Sequence, residues 1–433
     1  MKYWDERFET MSADEMKKFQ SEQLIKTINR TYNKVPFYKK FYDKMGVNPV
    51  KIKSIDELPK LPLTGKEDVR NNYPFGLCAV PFSEVVRIHA SSGTTGKPIT
   101  GLYTAGDMEQ WTECMARNLW AAGIRPEDIC QNSYQMGLFT GGLGFHQGAT
   151  KLGCAVIPIS SGRTERQLMV MQDFGVTVLF STPSYALTLA ERAEDMGIKI
   201  DTLKLRIGVF GAEPWRVEIR KEIEAKMKIK ALDCYGLIEF AGPGVAFECE
   251  EQNGLHINED HFIAEIINPD TGETLPPGSK GELILTSIRR EAMPMIRYRT
   301  RDITTLHREK CSCGRTLLKM DKILGRSDDM LIINGINVFP STIESLLMEL
   351  CAATPQYVIF VRKKGYMDQL CLDIEGKKEI FETGPQKIAE VERAIESKIF
   401  DIVGIRANIR LVPPKTLPRS EGKGKRVFDE RRM

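Results

Sequence analysis

The sequence of 433 residues lacks the features that let a chain act on membranes or nucleic acids. It has no apolar run of about 18 residues, so we expect no transmembrane helix. Its net charge is only +3, which creates no large field toward nucleic acid or anionic lipid. The basic residues near its C-terminal end have no interleaved aromatic residues, which also argues against a nucleic-acid partner. The 42% hydrophobic content and the chain length instead predict two or three globular domains with buried cores.

An export signal and a disulfide framework are also missing. Residues 1–7 do not contain the apolar core of a signal peptide. The ten cysteines are scattered along the chain rather than compactly spaced. We therefore expect a cytoplasmic protein with reduced thiols.

A glycine- and hydroxyl-rich loop lies between two β-branched runs in the first quarter of the chain. Its backbone N–H groups, hydroxyls and lysine can together hold phosphate oxygens. It differs from the P-loop of kinases and GTPases, because two residues separate its glycines and Pro98 follows the lysine. A flexible hairpin loop is the alternative. The candidate phosphate-binding residues are Ser92, Gly93, Thr94, Thr95, Gly96 and Lys97.

Residues 150–236 alternate between strand-like and helix-like runs, which predicts βαβ units and a parallel sheet. Residues 255–306 contain short β-like runs separated by turn signals and predict a smaller antiparallel subdomain. The pattern changes again after Arg326, where strands and helices form a small α+β domain. We therefore predict an α/β fold with a large domain at 1–326 and a small mobile domain at 327–433.

Two polar segments follow predicted parallel strands, where open sheets bind their ligands. Tyr235 could stack on a purine ring, and the carboxylate of Glu239 could hold Mg²⁺ on a nucleotide phosphate. Either segment could equally be a structural turn. The residues of the two segments are Gly211, Ala212, Glu213 and Pro214, and Asp233, Cys234, Tyr235, Gly236 and Glu239.

Three further positions carry candidate functional groups. Asp302 could accept both hydroxyls of a ribose, or could simply pair with a neighbouring arginine. Asp328 lies at the inferred domain boundary, in either a hinge or an ordinary linker. Lys423 stands between glycines near the C-terminal end, in either a frayed tail or a loop that brings an ammonium group to an anion.

In their order along the chain, these motifs resemble those of the adenylate-forming acid–thiol ligases, and most closely the phenylacetate–coenzyme A ligases. The resemblance extends from segment 35–38 to Lys423 and includes segments 141–144, 242–246 and 337–340. It implies that a carboxylic acid attacks the α-phosphate of ATP to give acyl-AMP and pyrophosphate. Coenzyme A then displaces AMP and forms a thioester. The resemblance also suggests a homodimer.

The resemblance implies a role for each nucleotide-site motif. Residues 92–97 would hold the β- and γ-phosphates, and segments 211–214 and 233–236 would line the adenine. Glu239 would bind Mg²⁺, while Asp302 and Arg326 would hold the ribose. Lys423 would contact the carboxylate and the α-phosphate during adenylation, and the small domain would rotate about Asp328. Lys425 competes for the lysine role, because three residues rather than the superfamily's usual four separate Pro418 from Gly422.

The resemblance also identifies a candidate acid pocket. Met136 replaces a common aromatic residue of phenylacetate ligases, and Ile238 replaces a small hydroxyl residue. We therefore expect an aryl or arylacetic acid, with phenylacetate as the first candidate. The alternatives are an adenylate-forming enzyme that uses another acid or a carrier-protein thiol as acceptor, and a non-catalytic regulator that binds a nucleotide. The pocket residues are Met136, Phe139, Thr140, Gly141, Ile238, Pro243 and Gly244.

Cysteines provide a second, independent constellation. Cys311 and Cys313 lie in one tight turn, and Cys249 and His256 flank another turn. Two cysteines from one loop and a Cys–His pair from another fit a closed tetrahedral Zn²⁺ site. His261 is an alternative fourth ligand, and four unrelated reduced side chains are the alternative to a metal site.

Overall fold

The structure, a computed structural model, describes residues 1–91, 97–327, 329, 331–334, 336–350, 353–364, 367–419 and 426–431. Several predicted site residues lie outside the described residues. They are the phosphate-loop residues 92–96, the hinge candidate Asp328, Lys423 and its competitor Lys425.

Helices form where apolar residues recur at three- and four-residue spacing. The second helix begins at a capping box in which the Ser12 hydroxyl accepts from the Glu15 N–H, and it buries Met16, Leu24 and Ile28 along one face. No helix in the described part of the chain is both long and apolar enough to cross a membrane. The helices are α1 (Glu6–Glu9), α2 (Ala13–Lys34), α3 (Pro36–Lys44), α4 (Lys66–Asn71), α5 (Ala105–Ala121), α6 (Gly141–Leu152), α7 (Thr164–Asp173), α8 (Pro183–Asp195), α9 (Val217–Met227), α10 (Pro340–Glu349), α11 (Lys378–Thr383) and α12 (Pro385–Val403).

The strands form one large sheet, two short hairpins and a smaller sheet. They are β1 (Val85–Ala90), β2 (Thr100–Thr104), β3 (Ile129–Asn132), β4 (Ala155–Ile157), β5 (Val178–Ser181), β6 (Ile207–Gly211), β7 (Lys230–Leu237), β8 (Gly242–Glu248), β9 (Leu255–Ile257), β10 (Phe262–Ile267), β11 (Lys280–Ser287), β12 (Tyr298–His307), β13 (Lys319–Met320), β14 (Gly325–Arg326), β15 (Leu331–Ile333), β16 (Ile336–Val338), β17 (Ala353–Lys364), β18 (Met367–Gly376), β19 (Ala407–Val412) and β20 (Val427–Asp429).

The predicted parallel sheet is confirmed. Strands β4, β3, β5, β6 and β7 lie side by side and run parallel, with α7, α8 and α9 as the connections between them. The predicted antiparallel strands are also present, and they continue the same sheet in the order β8, β9, β13, β12, β11 and β10. The sheet changes from parallel to antiparallel pairing between β7 and β8. The parallel strands therefore lie next to the antiparallel section at this point.

The C-terminal part of the chain has its own core. Strand β18 pairs antiparallel with β17 and parallel with β19, and β20 pairs parallel with β17. Helices α10 and α12 pack on this sheet, and buried residues such as Ile343, Ile359 and Ile395 belong to one cluster. The mixture of helices and a small mixed sheet agrees with the predicted α+β class.

Candidate functional site

Strands β1 and β2 hold the base of the glycine-rich loop. The Ser91 N–H donates to the carbonyl of Ile99 over 2.9 Å, and the Ile99 N–H donates to the Ser91 hydroxyl over 2.9 Å. Lys97 is exposed, and its ammonium group lies 6.0 Å from the ring centre of Tyr73. The two strands that flank residues 92–96 are thus paired, and the side chain of Lys97 is exposed.

Three predicted nucleotide-site residues come together from strands β7, β12 and β14. The Tyr235 hydroxyl on β7 donates to Asp302 Oδ2 over 2.6 Å. Arg326 on β14 faces Asp302 on β12 in register and approaches its Oδ1 at 3.3 Å. Burial, followed by the charge of Asp302, raises the pKa of Tyr235 well above its ordinary value. Tyr235 is therefore held as a neutral donor with a fixed ring orientation.

Glu239 lies just beyond the end of β7 and is buried. Its Oε1 accepts a hydrogen bond of 2.6 Å from the hydroxyl of Tyr298, the first residue of β12. Burial raises the pKa of Tyr298 well above its ordinary value, so this hydroxyl stays a donor. The sequence contains Tyr298 in the same motif as Asp302, but nothing in that motif predicts its contact with Glu239.

The segment after β6 forms a strained turn beside β7. Ala212 has a φ of +70°, an uncommon value for a residue with a side chain. A side chain on Gly211 would place its Cβ 2.3 Å from the carbonyl oxygen of Cys234. The carboxylate of Glu213 accepts the Ser184 N–H at the first turn of α8 over 2.7 Å, while Pro214 leads toward α9. The hydrogen bond from Ser184 to Glu213 therefore attaches the predicted adenine-lining segment 211–214 to α8.

Asp233 and Cys234 lie in the middle of β7, where they pair with the last two residues of β6. The N–H of Asp233 donates to Glu248, and Lys322 lies 3.9 Å from its carboxylate. Burial raises the pKa of Asp233 to about 6 although Lys322 opposes the shift. Burial likewise raises the pKa of the Cys234 thiol to about 12, so this thiol is packed and unreactive.

The candidate acid segments converge on Trp111, which the sequence does not single out. Trp111 Nε1 donates to the carbonyl of Pro243 over 2.7 Å. A Cβ on Gly242 would lie 2.6 Å from Thr140 and 2.9 Å from the indole ring. Trp111 of α5 therefore packs beside the start of α6 and the start of β8. The tryptophan lies on an ordinary helical face, so no sequence signal marks it.

The other pocket residues lie around this contact. Met136 lies against the start of α6, because a Cβ on Gly142 would be 2.6 Å from its sulfur. Phe139 is partly exposed beside Gly141, and Ile238 is buried next to Gly101 of β2. The carbonyl of Gly244 accepts from Asn258 over 2.7 Å. The pocket segments are therefore neighbours of the nucleotide-site strands.

The four predicted metal-ligating side chains come together. The ligand atoms of Cys249, His256, Cys311 and Cys313 all lie within 4.8 Å of one another. The Sγ atoms of Cys249 and Cys311 are 3.8 Å apart, and Cys313 Sγ is 3.6 Å from His256 Nε2. His261 instead lies 3.2 Å from Asp260. Among the described residues, the cluster thus contains His256 and not His261.

Comparisons with known proteins place this chain among AMP-binding enzymes. Residues 42–289 match the family described as AMP-binding enzyme, and residues 335–431 match the AMP-binding enzyme C-terminal domain. The chain is 45% identical to the phenylacetate-coenzyme A ligase of Thermus thermophilus, over 98% of each chain. It is 46% identical to that of Escherichia coli, over 98% of this chain and 97% of the relative. The chain belongs to the phenylacetate–coenzyme A ligase family and is an AMP-forming acid–coenzyme A ligase.

Solved structures agree with this assignment. A crystal structure of 2-hydroxyisobutyryl-CoA ligase in the postadenylation state has a TM-score of 0.92 at 27% identity, and the match covers 100% of this chain and 93% of that chain. The same ligase in complex with 2-HIB-AMP and CoA in the thioesterification state gives a TM-score of 0.74 at 28% identity, with the same coverage. This structure is therefore closer in overall arrangement to the postadenylation state.

Proposed function

We propose that this chain activates phenylacetate, or a closely related arylacetic acid, and transfers it from acyl-AMP to coenzyme A. The full-length identity to phenylacetate–coenzyme A ligases supports the choice of acid. The observation that carries the nucleotide half of the proposal is the contact of Tyr235 and Arg326 with Asp302. It brings an aromatic residue and a guanidinium group to one carboxylate, a combination that suits the recognition of adenosine.

In the first step, a carboxylate oxygen of the acid attacks the α-phosphorus of ATP, and the bond to pyrophosphate breaks. The protein contributes position and charge rather than a nucleophile. Asp302 accepts the ribose hydroxyls, and Tyr235 and Arg326 fix the orientation of its carboxylate. Glu239, oriented by Tyr298, offers the hard oxygen ligand that suits Mg²⁺. When bound, Mg²⁺ neutralises phosphate charge.

In the second step, the thiol of coenzyme A attacks the acyl carbon, the bond to AMP breaks, and the thiol proton passes to solvent. We propose that the small domain, residues 327–433, rotates about Asp328 between the two steps and removes Lys423 from the nucleotide. The separate core of the C-terminal part supports this boundary. The two TM-scores against one relative in different states support a change in domain arrangement.

A substrate panel tests the proposed function. We expect phenylacetate and ring-substituted arylacetates to cause pyrophosphate release from Mg·ATP, and coenzyme A to add matching acyl-CoA and AMP. Aliphatic acids of equal charge serve as controls, because they lack the aromatic ring that the proposed aryl pocket would hold. A preference for short aliphatic acids would contradict the proposal. Pyrophosphate release without an acyl-CoA product would favour a carrier-protein acceptor.

We also propose that Cys249, His256, Cys311 and Cys313 bind one structural Zn²⁺. Tetrahedral coordination with Zn–S of about 2.3 Å and Zn–N of about 2.0–2.1 Å requires S···S and S···N separations of roughly 3.8 and 3.6 Å. The Cys249–Cys311 and Cys313–His256 separations of 3.8 and 3.6 Å agree with these values. A disulfide would need a far shorter S–S distance of about 2.05 Å. Four protein ligands leave no open position for catalysis.

Zinc removal should loosen the N-terminal segment. Arg315, two residues after Cys313, forms a buried ion pair of 2.6 Å with Glu9. We expect one equivalent of zinc per chain by elemental analysis, and a loss of about 2.7 kcal/mol of stability on chelation if zinc is held at 100 times its Kd. Cys311→Ser should lose the metal, whereas Cys371→Ser in the small domain should keep it. Less than a tenth of an equivalent in protein purified without chelators would contradict the site.

We propose a cytoplasmic location and a homodimeric assembly. The free thiols of the described cysteines suit a reducing compartment. The assembly rests on the family likeness alone.

A further inference from the structure

Residues 415–419, which precede the undescribed segment 420–425, are fixed to the small domain. The guanidinium group of Arg419 donates to both carboxylate oxygens of Glu375, over 2.7 and 2.9 Å. Glu375 is buried and also accepts from the backbone N–H groups of Lys415 and Leu417, over 3.1 and 2.8 Å. One buried carboxylate at the end of β18 thus holds residues 415–419 in place.

The same arginine also reaches the large domain. The Nε of Arg419 donates to a carboxylate oxygen of Glu191 on α8 over 2.9 Å. One turn further along α8, Asp195 pairs with the ammonium group of Lys415. Arg419 and Glu191 are only 19% and 24% exposed, so water and salt screen their contact less than an open surface pair. Helix α8 therefore presents two carboxylates to two cations of the small domain.

Helix α8 is in turn attached to the nucleotide site. Its Ser184 N–H donates to Glu213, which lies in the proposed adenine segment. Its buried face includes Leu187 and Leu189, so the helix is fixed on the large domain. A chain of hydrogen bonds and packed backbone thus runs from the adenine segment through α8 to Arg419.

Covalent connectivity extends this chain of contacts to the proposed catalytic lysine. Lys423 follows Arg419 by four residues. Four residues span at most about 14 Å when fully extended. Holding Arg419 against Glu191 therefore limits where the ammonium group of Lys423 can lie relative to the large domain.

We propose that Glu191 is a positioning residue for acyl-adenylate formation, and that it acts through Arg419 to hold the small domain over the nucleotide. This proposal rests on the proposed function, because it needs Lys423 to act in the first step. The contact belongs to the arrangement that matches the postadenylation state. Rotation of the small domain for thioester formation separates the two side chains, so the second step does not use Glu191.

The variant Glu191→Gln tests the proposal because it removes the charge and keeps the shape. We expect acyl-adenylate formation, measured as pre-steady-state pyrophosphate release, to slow about fivefold, the equivalent of about 1 kcal/mol for a partly buried pair. Thioester formation from supplied phenylacetyl-adenylate and coenzyme A should keep its rate. Asp195→Asn, at a more exposed pair, should slow the first step about twofold or less. Glu194→Gln is the matched control, because Glu194 is exposed on the same helix and has no ion pair among the described residues.

Arg419→Lys provides a second variant, because it keeps the charge but replaces the three guanidinium nitrogens that contact Glu191 and Glu375 with a single ammonium nitrogen. It should slow the first step more than the second. Equal slowing of both steps in E191Q, with a lower melting temperature, would indicate a purely structural role and overturn the proposal, as would unchanged rates of both steps. The proposed function fails separately, through the absence of pyrophosphate release by the unmodified chain. The present proposal fails only through the ratio of the two half-reaction rates in E191Q.

Discussion

Replacing Lys423 with alanine should lower the rate of acyl-adenylate formation by about 10²–10³-fold, because the variant removes a positive charge aimed at oxygens that gain negative charge in the transition state. Transfer of supplied phenylacetyl-adenylate to coenzyme A should stay within about twofold, because the proposed rotation has already removed the lysine from the site. Rapid-quench measurement of each half-reaction with the full chain separates the two effects.

Lys425→Ala is the matched control for this prediction. Lys425 lies two residues further along the same segment and carries the same charge. It should retain both half-reactions if Lys423 is the catalytic lysine. A loss confined to Lys425→Ala would reassign the role, and equal losses of both half-reactions in Lys423→Ala would contradict a role restricted to adenylation.

The sequence predicted the parallel section well because its signals are local. Apolar runs at 205–210 and 229–232, each next to a helix-like segment, indicate strands, and the structure has β6 at Ile207–Gly211 and β7 at Lys230–Leu237. Strand β7 is longer than predicted because its polar second half pairs with β8. The apolar pattern ends at Leu232, but backbone pairing does not need apolar side chains. Long-range pairing thus determines where this strand ends.

The sequence points to candidate site residues that stand in motifs, but it does not point to residues that are marked only by tertiary contacts. Tyr235, Asp302 and Arg326 stand in recognisable motifs, and the structure brings them together. Trp111 and Glu191 have no such motif. Their importance comes from contacts with Pro243 and Arg419, which lie more than a hundred residues away in the chain. A single sequence does not specify which distant residues meet.

Gly236→Ala should both destabilise the large domain and inactivate the enzyme. A Cβ at this position would lie 1.8 Å from the carbonyl oxygen of Gly242 and 2.7 Å from the Cα of Pro243. These are backbone atoms of a paired strand, so neither can move aside as a flexible side chain would. We expect a loss of about 3 kcal/mol in the free energy of unfolding of the large domain, at the upper end of overpacking costs.

The activity effect should exceed what the lost stability alone explains. Gly236 follows Tyr235 of the proposed nucleotide site and pairs with Pro243 of the proposed acid pocket, so separating β7 from β8 would displace residues of both proposed sites. A displacement of about 1 Å costs roughly 10²-fold in rate. The rate should be measured at a temperature at which circular dichroism shows that the variant is still folded. Gly65→Ala is the control, because its added Cβ meets nothing closer than 4.0 Å and should cost less than about 1 kcal/mol. Full activity of folded Gly236→Ala would show that β7 and β8 can separate without disturbing the site. It would contradict the proposal that the nucleotide site and the acid pocket both depend on the pairing of β7 with β8.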